Sequence, residues 1–220
     1  MNFDKYISPL SEEKLLQACA KIKHVALDMD GTIYLGSTLF PYTQAFLQTL
    51  RDNGISYSFL TNNPTKSSND YLLKLQKLGI DATEEQMYTS SIATIDYIHM
   101  QYPEAKRIFT LGTPSMQAEF KKAGFEITSD SANDVPDILV VAFDTTLEYS
   151  RLCRAAWLQR QTFHILQPIP IGCVLPTSPP YWSTVAHCVR LSKGQQSVSP
   201  TLLSVSLTPI CFIAFAINTT

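Results

Sequence analysis

The sequence predicts an α/β fold built on mainly parallel sheet, and three observations carry that prediction. Short apolar runs alternate with amphipathic, helix-length segments up to about residue 160, the connecting loops are short, and Gly or Pro marks segment ends. At 220 residues, 45% hydrophobic and 16% charged, the chain can bury the core of one large or two small domains.

The elements follow in order. His24-Val25-Ala26-Leu27-Asp28 is a buried-strand run that enters a glycine-containing loop. Residues 41–53 read as a helix, with Pro41 in the first turn and Gly54 just past the end. Residues 55–60 form the next strand and lead into the polar loop Thr61-Asn62-Asn63-Pro64. Residues 67–78 are amphipathic, with Tyr71, Leu72, Leu75 and Leu78 at helical spacing, and Gly79 ends the helix. Thr83 with Gln86 makes a capping box for another helical start. Helices over 92–101, 114–123 and 147–160 and strands over 108–111 and 137–142 complete the alternation, with no repeat and no low-complexity linker. From Leu166 the pattern ends: Pro and Ser become frequent and helical periodicity disappears.

A formal net charge of −2 gives no electrostatic case for nucleic acid or an acidic membrane surface. The distribution says more than the sum. All 19 acidic residues lie at or before Glu148, whereas Arg151, Arg154, Arg160, Arg190 and Lys193 come later. A domain of that size normally carries solubilising acids, so the composition changes in the last third. Cys19, Cys153, Cys173, Cys188 and Cys211 are scattered without a CxxC pair and read as reduced thiols of a cytoplasmic protein. The polar, charged start of the chain carries no secretory signal. The apolar stretch 202–217 is short for a membrane span and contains Pro209, so no membrane association is expected.

The strongest chemical signal is Val25-Ala26-Leu27-Asp28-Met29-Asp30-Gly31-Thr32. Ligands of open parallel sheets sit beyond the carboxyl ends of strands, and this run places two carboxylates there. Gly31 permits the tight turn that follows. Such a pair suits phosphoryl transfer: one carboxylate attacks phosphorus, and the other protonates the leaving oxygen and then activates water. Two close carboxylates repel, so Mg²⁺ is expected to neutralise them and the phosphate. An EF-hand would need Gly at the sixth loop position and Glu at the twelfth. Here Gly31 is fourth and Leu39 twelfth, which excludes it.

These residues resemble the haloacid dehalogenase superfamily, in its 4-nitrophenylphosphatase-like branch (subfamily IIA), over roughly residues 20–165. The run from Asp28 to Gly36 resembles the first motif of that family, and Phe59-Leu60-Thr61-Asn62-Asn63 resembles the second. Leu78-Gly79-Ile80 and Tyr88-Thr89-Ser90-Ser91 are also similar to this branch. The resemblance implies a Rossmann-like core, incomplete here, with part of an inserted α/β cap: residues 1–87 the first half of the core, 88–165 the partial cap, 166–220 a tail outside the family pattern. It implies Asp28 as nucleophile and Asp30 as general acid/base. Thr61, Asn62 and Gly31 would hold phosphate, and the Asp28 carboxylate with the Asp30 backbone carbonyl would hold Mg²⁺. The implied substrate is a small phosphorylated metabolite, and self-association would run through the cap. His99 and His164 show no ligand spacing and read as ordinary histidines. P-type ATPases follow their nucleophilic Asp with Lys-Thr-Gly-Thr, whereas Asp30 here favours hydrolysis.

The family carries two later motifs, a lysine and a Gly-Asp…Asp pair. Nothing after Glu148 supplies the carboxylates, and Lys193 lies in the wrong context. Residues 166–175, 181–188 and 194–202 can be coded by triplets that, in one shifted register, read as family-like segments in the expected order. The tail is therefore expected to be out of frame or poorly ordered, and turnover by this chain impaired. The alternative is a catalytically inactive fragment that binds a phosphate ligand.

Overall fold

The structure, a computed structural model, describes residues 21–161, 164–167 and 201–202. The chain divides into two compact units, the first running to Leu60 and the second beginning at Thr61. The boundary expected at residues 87/88 falls inside the second unit.

The first unit begins with β1 (His24–Asp28) and a short antiparallel hairpin of β2 (Tyr34–Leu35) and β3 (Thr38–Leu39). Helix α1 (Thr43–Asp52) follows, and strand β4 (Ser56–Thr61) carries the chain to the first residue of the second unit. β1 and β4 are parallel, with pairs running from His24↔Ser56 to Asp28↔Leu60. The His24 ring reaches the hydroxyls of Ser56 and Ser58, at 2.8 and 2.9 Å, and so fixes this register from the side. Thr43, Leu47 and Leu50 are the buried face of α1, at the expected helical spacing.

Pro41 does not open α1 as the sequence predicts. The helix starts at Thr43 because the Thr43 hydroxyl donates to the Ile33 carbonyl at 2.6 Å, and the Tyr42 hydroxyl donates to the Thr32 carbonyl at 2.8 Å. The helix start is thus tied to the loop that follows Asp30.

The second unit contains α2 (Ser68–Lys77), a 3₁₀ turn (Glu84–Gln86), β5 (Met87–Thr89), α3 (Ser90–Gln101), β6 (Arg107–Leu111) and α4 (Pro114–Lys122). It continues through β7 (Glu126–Ile127), β8 (Ile138–Val141), α5 (Tyr149–Gln159), β9 (His164–Gln167) and β10 (Thr201–Leu202). Five strands form one parallel sheet in the order β10-β9-β8-β6-β7. Alternation sorts its side chains to two faces. Ile108, Ile138, Val140 and Leu166 pack with Ile95 and Ile98 of α3 and Met116 and Phe120 of α4. Phe109, Leu111, Leu139, Val141 and Ile165 pack with Ala155 and Leu158 of α5.

The capping box at Thr83 and Gln86 is present, but it caps only the 3₁₀ turn. α3 takes its own cap from Thr89, whose hydroxyl accepts the Ile92 N–H. Cys153 is an exposed free thiol, and the other four cysteines lie outside the described residues. So do Lys193 and most of the expected tail, apart from residues 166–167 and 201–202. Among the described residues no helix is long and apolar enough to cross a membrane.

Candidate active site

Asp28 is the last residue of β1 and is half-buried. Burial pushes its carboxyl above the ordinary carboxylate range, opposed by hydrogen bonds from the Met29 N–H and the Thr32 hydroxyl, while the charge of Asp30 adds to the rise. The Thr32 hydroxyl donates to Asp28 Oδ2 at 3.3 Å. Asp30 is exposed, and the buried Tyr34 hydroxyl points at its Oδ2 from 3.5 Å.

The turn between them is closely bonded. Gly31 has φ +84° and its N–H donates to the Tyr34 carbonyl at 2.8 Å, while the Thr32 and Ile33 N–H groups share the Met29 carbonyl. Positive φ is the reason glycine stands here. Asp28, Asp30 and Gly31 are therefore brought together at one strand end, as the sequence predicts. Thr32 and Tyr34 received no role from the sequence. Their signal is their place two and four residues after Asp30, where a returning turn brings side chains back over the strand end.

Asp28 pairs with Leu60, and the chain passes from Leu60 directly into Thr61. Thr61 is 5% exposed, and its Oγ1 accepts the Asn63 N–H at 3.2 Å. A hydroxyl carries one proton and two lone pairs, so this bond leaves the Thr61 proton available for donation. Asn62 is exposed. Asn63 holds the loop with its own side chain, since its Oδ1 accepts the Thr65 N–H at 3.1 Å and the Thr65 hydroxyl at 2.8 Å.

Among the described residues no group of three or more His, Cys, Asp or Glu gathers around one point. Asp28 and Asp30 are hard oxygen donors, and Mg²⁺ is typically held by one or two carboxylates together with water and phosphate oxygens. The donor set at this turn fits that pattern. His99 stacks on Phe125 at 5.0 Å and His164 leans on Tyr102 at 4.5 Å, so both have packing roles. A groove of about 360 Å³ lined by Tyr102, Glu104, Asp137 and His164 lies at the amino ends of β6, β8 and β9. Ligands of parallel sheets occupy the opposite end, and this groove is no rival to the carboxylate turn.

A parallel α/β architecture with paired aspartates at the end of its first strand defines a class, and comparison with known proteins agrees with it. A family profile described as haloacid dehalogenase-like hydrolase matches residues 25–126. The chain belongs to this family. A 4-nitrophenylphosphatase structure from Thermotoga maritima is 31% identical with a TM-score of 0.71, covering 83% of this chain and 68% of that one. NagD from E. coli K-12 is 25% identical with a TM-score of 0.67, covering 82% and 68%. Among curated proteins, the acid sugar phosphatase of Staphylococcus aureus is 33% identical over 133 residues, which is 60% of this chain and 50% of the relative. The chain thus spans about half the length of the curated relatives it matches. These neighbours place it in the 4-nitrophenylphosphatase-like branch.

Proposed function

We propose that this chain carries the nucleophilic half of a phosphatase for small phosphate monoesters, sugar phosphates and aryl phosphates among them. The observation that carries the reading is the turn that sets Asp28 and Asp30 at one strand end, with Asp28 half-buried and bonded by Thr32. An Asp28 oxygen attacks phosphorus, the bond from phosphorus to the ester oxygen breaks, and Asp30 gives its proton to that oxygen. Asp30 then takes a proton from water, whose oxygen attacks the aspartyl-phosphate and releases phosphate with Asp28 restored. Thr61 contributes its hydroxyl proton to a phosphate oxygen, and Asn62 lies in the same loop. Gly31 shapes the turn, its own N–H being taken by Tyr34. Mg²⁺, when bound by the Asp28 carboxylate and the Asp30 carbonyl, would offset the negative charge of carboxylate and phosphate. Residues 1–87 are assigned to the core and 88–165 to the cap.

Slow turnover is part of this reading, because among the described residues no third carboxylate joins Asp28 and Asp30 to complete the charge balance. The same fact favours a second reading, a fragment that binds phosphate esters without hydrolysing them. Hydrolysis of p-nitrophenyl phosphate with Mg²⁺, by the chain and by Asp28→Asn, separates the two. A slow rate that Asp28→Asn abolishes supports the phosphatase. A rate that survives the substitution refutes Asp28 as nucleophile, and phosphate binding without turnover in both proteins supports the binding fragment.

A further inference from the structure

We propose that Tyr71 is a positioning residue for the phosphate loop, acting through Asn63. The assignment rests on the reading of Thr61 as a phosphate ligand. Tyr71 lies in the first turn of α2, is 1% exposed, and donates its hydroxyl to the Asn63 carbonyl at 3.2 Å. That carbonyl belongs to the peptide joining Asn63 to Pro64, which has no N–H. The loop is therefore one donor short at this peptide, and a hydroxyl from a neighbouring helix pins the carbonyl instead.

The other side of Asn63 shows what this controls. Its N–H is the donor to Thr61 Oγ1, and the direction of that N–H decides which lone pair of Thr61 is occupied and where the remaining proton can point. Rotation about the Asn63 backbone would move both groups together. Further along, the Thr65 carbonyl accepts the hydroxyl of Thr113 at 3.0 Å, so the loop is also held at its far end. Tyr71 itself stands on a rigid base. Ser67 and Asp70 form a reciprocal capping box at the start of α2, and Glu119 of α4 accepts from the backbone N–H and the hydroxyl of Ser68. A group placed by a capped helix holds a loop more closely than another loop residue would.

The test uses the full chain with inorganic phosphate as the probe. Affinity is measured by titration calorimetry and the thermal midpoint is taken without phosphate, for the parent, Tyr71→Phe, Thr61→Val and Tyr57→Phe. Tyr57 is a control, a buried tyrosine of the first unit whose hydroxyl accepts from Arg51. Tyr71→Phe keeps the ring and removes one hydroxyl, and it should weaken phosphate binding about fivefold, the net worth of one hydrogen bond. Tyr57→Phe should shift only the midpoint. A Tyr71→Phe protein with a lowered midpoint and unchanged phosphate affinity gives Tyr71 a purely structural role and overturns the proposal. No binding by the parent, or binding untouched by Thr61→Val, overturns the phosphate reading of the loop and the role of Tyr71 with it.

Discussion

Replacing Glu119 by alanine removes an acceptor that three donors from two other segments share. Glu119 is 8% exposed, and its Oε1 receives both the N–H and the hydroxyl of Ser68, the N–H at 2.9 Å. Its Oε2 receives the Thr89 hydroxyl at 3.4 Å. The three contributions differ. The Ser68 N–H is fixed by the backbone and has no second choice, so its loss carries the full cost of an unsatisfied buried donor, about 1–3 kcal/mol. The Ser68 hydroxyl can rotate, yet it is buried and regains only part of its bond. The Thr89 contact is long and weak, so little is lost there. The sum is about 3 kcal/mol for Glu119→Ala, a large part of the roughly 5–15 kcal/mol that holds a domain together. Glu119→Gln keeps an acceptor oxygen toward Ser68 and should cost about 1 kcal/mol. Urea unfolding followed by the fluorescence of the two tryptophans, Trp157 and Trp182, with equal m-values as the check on comparability, measures both against Glu104→Ala, an exposed control. If Glu119→Ala costs no more than Glu104→Ala, the buried carboxylate does not hold α2, β5 and α4 together and the reasoning fails.

The remaining predictions are narrower. The raised pKa of Asp28 means that the folded chain holds this proton more tightly than the unfolded chain does, so its contribution favours folding at low pH and is lost as pH rises through the folded value. Asp28→Asn, measured with a chelator present, should therefore melt higher than the parent at pH 7, with the difference closing toward the ordinary value of 3.8; a gap that widens on acidification would contradict the burial argument. Gly31→Ala places a side chain at φ +84° where no atom lies within 4 Å, so the cost should be backbone strain alone, about 1–2 kcal/mol, with the fold retained by circular dichroism. Phe120 is fully buried between α4 and the five-stranded sheet, and Phe120→Ala should cost about 3–5 kcal/mol in the same urea assay; a loss under 1 kcal/mol would mean that the sheet face is not packed as described.

Local signals were legible where the physics is local. The helix predicted over 114–123 is observed as Pro114–Lys122, with proline at its start, and the one over 67–78 as Ser68–Lys77, with Ser67 as its cap. The hairpin of β2 and β3 was not legible, because its two-residue strands are too short for alternation to register. Pro41 misled because proline is equally at home just before a helix and in its first turn, and the bond from Thr43 to Ile33 decides between them.

By itself, the sequence determined the alternation of strands and helices, the placing of Asp28 and Asp30 beyond a strand end, and the polar loop that starts at Thr61. Each follows from periodicity, caps and turn residues within a few positions of one another. The tertiary structure alone decided that Thr32 bonds Asp28, that Tyr71 pins Asn63, and that Glu119 joins Ser68 and Thr89 from 51 and 30 residues away. A buried acceptor such as Glu119 has the same letter as an exposed one. Only the folded arrangement, which removes water and supplies the donors, gives it a different role.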